Sequence, residues 1–356
     1  MSLPCVTYHL SSSRHIMDTN ETVSLHYRPC LSTMRVLPWN FACVLCRLGG
    51  ACIFVFSIVC LKFNIRFLSR QQQRPNLLIL SLFLASVLVV TFSVPGMLVQ
   101  LITCHRHCLA IYCRLEGFVS YFSGCLCMLA LMMLSVHRYL GLHSYRGFLS
   151  VRVSALFCWT ASLIFTFPLI FDCLNSYLPE GLGFHCSINW KDRSSPRRLY
   201  IFMAFLMMYF LPLLVLVVFS FRVHAVIRNV HAKHYLIHPY LSISQQTSSS
   251  PTSRRLNFAE QTHDSNYYVR HVIKQKRQRM DYRFFRAILF IIGNYLLAWT
   301  PYSVVAVLQL LNIQWIFSHA FLMTLSAFLA KSSVISAPFV YLRVMNSALF
   351  RRILFQ

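Results

Sequence analysis

Long apolar runs alternate with short polar or basic connections along this chain, at about 40–67, 76–101, 112–139, 152–172, 200–226, 284–311 and 320–342. Each approaches the roughly twenty apolar residues needed to cross a hydrocarbon core about 30 Å thick. The pattern predicts an all-α membrane protein, a seven-transmembrane helix bundle over 39–345. The first run is the least clean, because Arg47 and Lys62 bracket fourteen uncharged residues and both are expected to snorkel. Residues 1–38 are polar and lack the apolar stretch of a cleavable leader, so they read as an extracellular segment and the first span as the targeting signal. One long connection, about 227–283, contains the low-complexity run Ser242–Ser253 and is expected to be a disordered cytoplasmic loop. Residues 346–356 read as a short amphipathic cytoplasmic helix and tail.

Charged residues make up only 12% of the chain, about half the share usual in soluble domains. Lys and Arg number 33 against nine Asp and Glu, a net charge of +24. On a soluble domain that excess would suggest nucleic acid; here it lies in the loops, so the lipid bilayer is the expected partner and nucleic acid is not. With the N-terminus outside, the inner loops and tail hold 22 Lys and Arg and the outer segments ten. That bias fits a plasma-membrane protein with an extracellular N-terminus, and Asn20-Glu21-Thr22 is then an outward-facing glycosylation acceptor. The seven basic residues from Arg270 to Arg286 read either as an extension of the sixth helix that touches a partner or as charge drawn to anionic lipid. Among the fourteen cysteines, Cys104 and Cys108 with His105 and His107 come nearest to a ligand set; they read as loop, and no metal is expected.

Two charges within the apolar runs stand out. Lys331 is the only charged residue from Asn312 to Leu342. An ammonium at the bilayer centre costs about 2.5 to 3.5 kcal/mol even on insertion scales, so this lysine is expected to be paired, modified or facing a cavity. Glu116 is the one acid inside a predicted span, Asp172 lying at a span edge. A buried carboxylate needs a cation, and Lys331 is the only comparably buried one, so the two are expected to pair. Cys113, one turn above Glu116, and Cys186, between the fourth and fifth runs, both face the oxidising side, where a bridge between them is permitted.

Together these residues resemble the opsins, within the rhodopsin-like seven-helix receptors. Ala330-Lys331-Ser332-Ser333 followed by Pro338 and Tyr341 is similar to the opsin seventh helix, and Cys113-Arg114-Leu115-Glu116-Gly117-Phe118 to the start of the third. His137-Arg138-Tyr139 stands where opsins carry (Asp/Glu)-Arg-Tyr. Pro179-Glu180-Gly181-Leu182 leading to Cys186 resembles the plug loop, and Trp159, Pro212 and Trp299-Thr300-Pro301-Tyr302 occupy family positions in helices four, five and six. The resemblance implies that Lys331 carries retinal as a protonated Schiff base, with Glu116 as counterion and Glu180 as a second one, and that Cys113 and Cys186 form a disulfide. An apolar aromatic slot for the polyene is expected from Trp299, Tyr302, Gly124, Cys125, Phe205 and Tyr209.

The inner half departs from the family pattern. His137 replaces the acid beside Arg138, Ser86 aligns with the helix-two aspartate, Ser336-Ala337-Pro338 replaces Asn-Pro, and Ser220 stands where a tyrosine is usual. Asp281 stands where the family places the acid that locks to Arg138, and these two with Tyr341 form the expected G-protein switch. The expected function is light sensing with signalling to a heterotrimeric G protein, without enzymatic activity; a homodimer stays open. A retinal photoisomerase of the same fold is the second reading, kept by the weak inner signatures. A peptide or amine receptor in which Lys331 is accidental is the third.

Overall fold

The computed structural model describes residues 34–35, 41–70, 76–103, 105–106, 110–142, 149–190, 194–226, 289–311 and 319–345, with single positions between them. Among the described residues are seven helices long and apolar enough to cross a membrane: α1 (Arg47–Ser69), α2 (Leu77–Thr103), α3 (Ile111–Gly141), α4 (Val151–Phe171), α5 (Ser195–Val226), α6 (Leu289–Leu310) and α7 (Ala320–Tyr341). The protein is a seven-helix membrane bundle, as the apolar runs require. α5 starts earlier than its run because Ser194 is extended and Pro196 opens the first turn, where a fixed φ and a missing N–H cost nothing. That polar first turn, Ser195-Pro196-Arg197-Arg198, concealed the start.

α3 runs through the centre, buried continuously from Phe122 to Met132. The surrounding helices bury one side each and present apolar side chains outwards, Ile164 and Leu297 being 70% and 79% exposed. Such a surface suits lipid rather than water. Arg47 does not simply snorkel: its Nε donates to the carbonyl of Ile102 at 3.0 Å and so caps the outer end of α2.

Two helices loosen just ahead of a proline. α2 passes through a π-turn at Val89–Ser93 before Pro95, and α5 through one at Leu206–Phe210 before Pro212. A proline removes the i→i−4 bond and crowds the carbonyl at i−4, and one wider turn relieves both. Tyr112, at the outer start of α3, stitches the first of these: its hydroxyl accepts from the Gly96 N–H at 2.9 Å and reaches the Phe92 carbonyl at 3.2 Å.

On the outer side, β1 (Met34–Arg35) pairs antiparallel with β2 (His105–Arg106). A second hairpin, β3 (Tyr177–Glu180) with β4 (His185–Ile188), pairs Pro179 with Cys186 and Glu180 with His185. Its turn needs Gly181, whose φ is +58° and where a Cβ would lie 2.5 Å from Thr324 Oγ1. The Leu182 N–H donates to that same hydroxyl at 2.9 Å, which fastens the turn to α7. Asn20, most of the 227–283 loop, Asp281 and the expected helix at 346–356 lie outside the described residues.

Candidate functional site

Lys331 on α7 and Glu116 on α3 meet as an ion pair, with side chains 12% and 1% exposed. Ser93, in the π-turn of α2, accepts from Lys331 Nζ at 3.2 Å and lies 3.2 Å from Glu116 Oε1 and 2.9 Å from Ser120 Oγ. The other carboxylate oxygen, Oε2, accepts from the backbone N–H of Cys186 at 2.7 Å. That contact exists because Cys113 and Cys186 are disulfide-bonded, Cα atoms 5.4 Å apart, which holds β4 one turn above Glu116. A buried charge keeps its place only when paired and hydrogen-bonded, and Glu116 is both. Cys173, just beyond α4, is disulfide-bonded as well, so the outer face carries more than one such tie.

A cavity opens beside Lys331. Gly124, Cys125, Phe205, Tyr209, Trp299, Tyr302 and Lys331 all line it, joined by Val89, Met208, Tyr295 and Ala327, and Cys186, Ser187 and Ile188 of β4 line it from the outer side. Trp299 is fixed by a 2.9 Å bond from Nε1 to Ser333 Oγ and by stacking on Tyr295 at 5.2 Å. Gly124 is required by that indole, since a Cβ there would fall 2.8 Å from Trp299 Cη2. Both π-turns contribute to the wall, which is where such turns often serve a site.

Glu180 does not line the cavity. It is buried in the hairpin and accepts from Ser187 Oγ at 2.6 Å, Tyr302 hydroxyl at 3.1 Å and Gln309 Nε2 at 2.7 Å, with His185 Nε2 at 3.3 Å. Burial pushes its carboxyl up, but His185, Ser187 and Gln309 together outweigh burial and hold it below the ordinary 4.5. Tyr302 accepts in turn from Trp190 Nε1 at 3.3 Å. Sequence reasoning did not find His185, Gln309, Ser93 or Tyr112. Ser93 had a signal in the Val94-Pro95 step that follows it; a histidine in a loop and a glutamine in an apolar run have none.

Towards the inner side, Tyr341 is buried ten residues along α7 from Lys331, about 15 Å by helical rise. The Arg138 side chain and Asp281 lie outside the described residues. His137 Nε2 lies 2.7 Å from Ser154 Oγ on α4. Asn64 Nδ2 donates to Ser86 Oγ at 2.9 Å, which donates to the Ile335 carbonyl at 3.0 Å, and Asn294 Nδ2 donates to Ser336 Oγ at 3.1 Å. This cluster joins α1, α2, α6 and α7 through neutral groups.

The profile of the family described as 7 transmembrane receptor (rhodopsin family) matches residues 63–341. A melanopsin of Branchiostoma belcheri is 28% identical over 64% of this chain and 30% of its own length. The vertebrate ancient opsin of Salmo salar is 31% identical over 49% of the chain and 56% of its length, and a green-sensitive opsin of Gallus gallus 22% identical over 85% and 77%. The matched region thus spans less than a third of the melanopsin and little more than half of the ancient opsin. The crystal structure of squid rhodopsin superposes with a TM-score of 0.69 at 19% identity, covering 92% of this chain and 89% of that one, which is a likeness of fold. The chain belongs to the rhodopsin family of seven-transmembrane receptors, and the proteins it resembles within that family are opsins.

Proposed function

We propose that this chain is a light-sensing opsin that binds retinal covalently through Lys331 as a protonated Schiff base. It would lie in the plasma membrane with its N-terminus outside and signal to a heterotrimeric G protein. The observation that carries the reading is a single lysine, paired with one buried carboxylate, at the edge of an apolar aromatic cavity covered by a disulfide-tied hairpin. The residues fit the group: a primary amine for an aldehyde, an anion for the resulting charge and a slot of rings and glycine for a polyene. Retinal, when bound, supplies the absorption of light and the change of shape.

The chain's own residues do the rest. Glu116 holds positive charge at the Lys331 nitrogen, and Ser93 orients that contact from a second helix. Trp299, braced by Ser333 and Tyr295, fixes the inner wall against α6 and α7. The β3–β4 hairpin keeps water from the charged nitrogen, and a water-poor setting strengthens the ion pair. The test is pigment formation: protein reconstituted with retinal should absorb in the visible, and Lys331→Ala should not. Glu116→Gln should leave a fraction of the pigment unprotonated at neutral pH, absorbing in the near ultraviolet, whereas Glu180→Gln should not. A visible pigment in Lys331→Ala, with no amine added, would refute the reading.

A retinal photoisomerase is the second reading, favoured by the neutral inner cluster at Ser86, Ser336 and Asn294 and by His137 bonding to Ser154. Nucleotide exchange on a G protein under illumination supports signalling. Steady release of a different retinal isomer without exchange supports the isomerase.

A further inference from the structure

Two hydroxyls connect the buried ion pair to the cavity. Among the described residues, the cavity wall includes Lys331 and Ser120 but neither Glu116 nor Ser93, which are buried behind it. Ser93 Oγ lies 3.2 Å from Lys331 Nζ, 3.2 Å from Glu116 Oε1 and 2.9 Å from Ser120 Oγ. Its single proton therefore has two destinations. When it goes to Glu116, Ser120 donates to Ser93, and the line of hydrogen bonds runs inward from the cavity to the carboxylate. When it goes to Ser120, Ser93 still accepts from Nζ, the Ser120 proton is left for the cavity, and the line runs outward from the nitrogen. Ser120 has no second hydrogen-bond partner among the described residues, so its hydroxyl is free for either role. Two other hydroxyls of the wall, Ser187 and Tyr302, are turned to Glu180 instead.

What such a line can do follows from counting protons. A lysine ammonium carries three. On condensing with an aldehyde it keeps one and gives two to the carbonyl oxygen, which leaves as water: R–NH3+ + O=CH–R′ → R–NH+=CH–R′ + H2O. No proton enters or leaves overall, yet two must pass from nitrogen to oxygen in a site covered by the β3–β4 hairpin. Glu116 is placed to take a proton from Nζ but stands behind the wall, whereas Ser120 stands in it. We propose that Ser93 and Ser120 form a proton relay for the bonding of Lys331 to its aldehyde. Ser93 takes the proton at the nitrogen, Ser120 hands it to the departing oxygen, and the same line run inward serves release. The identity of the aldehyde as retinal rests on the opsin reading; the relay does not.

The test uses the intact retinal-free protein in lipid nanodiscs. Propionaldehyde is added with cyanoborohydride in excess, so that condensation limits the rate, and peptide mass spectrometry follows Lys331 against the exposed Lys62. Ser120→Ala should slow labelling of Lys331 about a hundredfold, as loss of a positioned proton donor does, and leave Lys62 unchanged. Ser120→Thr, which keeps the hydroxyl, should restore the rate. Ser93→Ala should slow it too, and adding Ser120→Ala to that variant should cost nothing further, because residues of one line act as a unit. A wild-type rate in Ser120→Ala, a Ser120→Thr rate as low as that of Ser120→Ala, or losses that multiply in the double variant overturns the relay. Pigment formation with retinal reads the opsin proposal separately. Relay-dependent labelling in a chain that forms no pigment upholds the relay and refutes that reading; pigment with labelling indifferent to Ser120 does the reverse.

Discussion

At Gly124 the fit between α3 and α6 leaves no room for a methyl group, because Trp299 Cη2 stands 2.8 Å from where a Cβ would be. Gly124→Ala should lower stability by about 1 to 3 kcal/mol, as overpacking does, and, on the proposed retinal-binding reading, shift the pigment's absorption; thermal unfolding and a spectrum read the two effects. Glu116→Gln in the retinal-free protein leaves a buried ammonium without its anion, a loss of about 3 to 5 kcal/mol. Replacing Lys331 by Met as well should recover most of it, which a melting series of the single and double variants would reveal. These two residues were legible because Lys331 is the lone charge of its apolar run and Glu116 the only acid inside any of them. Ser93, Tyr112 and Gln309 are neutral, and a neutral polar group in a helix gives no sign of which helix it will face. His185 lies in a loop whose path depends on a disulfide, so its partner could not be read from the chain.

Among the elements, the seven spans were visible because apolar length alone decides a membrane helix. The π-turns were not, since Pro95 and Pro212 announce a distortion without saying whether it is a kink, a break or a wider turn. Tyr112 makes the first of them testable. Tyr112→Phe strands the Gly96 N–H and the Phe92 carbonyl that its hydroxyl now joins. The expected cost is about 1 to 3 kcal/mol, with faster hydrogen exchange at Gly96 than at the rest of α2. For the hairpin, Cys186→Ser should cost about 2 to 5 kcal/mol and also free the strand that donates to Glu116. Loss of visible pigment well below the melting temperature would be its second sign.

For the molecule as a whole, stability against acid should carry the mark of Glu180. Its carboxyl is held below the ordinary 4.5 in the fold, so the ionised form stabilises the protein above that value. The contribution disappears as pH falls through the lower, folded value. The melting temperature should stay level down to about pH 5 and drop below it, and the drop should be smaller in Glu180→Gln. A wild-type acid limb identical to that of the variant would show that Glu180 titrates alike in both states.

The hairpin over the cavity is fastened on three sides, to α3 by the disulfide, to α7 through Thr324 and to α6 through Glu180. A solute arriving from the aqueous phase would have to break all three ties, while a lipophilic one already dissolved among the acyl chains meets only side chains between helices. On the proposed retinal-binding reading, delivery then belongs to the bilayer: uptake should follow the membrane concentration of the aldehyde rather than its aqueous concentration, and should quicken when tightly packed lipids are exchanged for fluid ones.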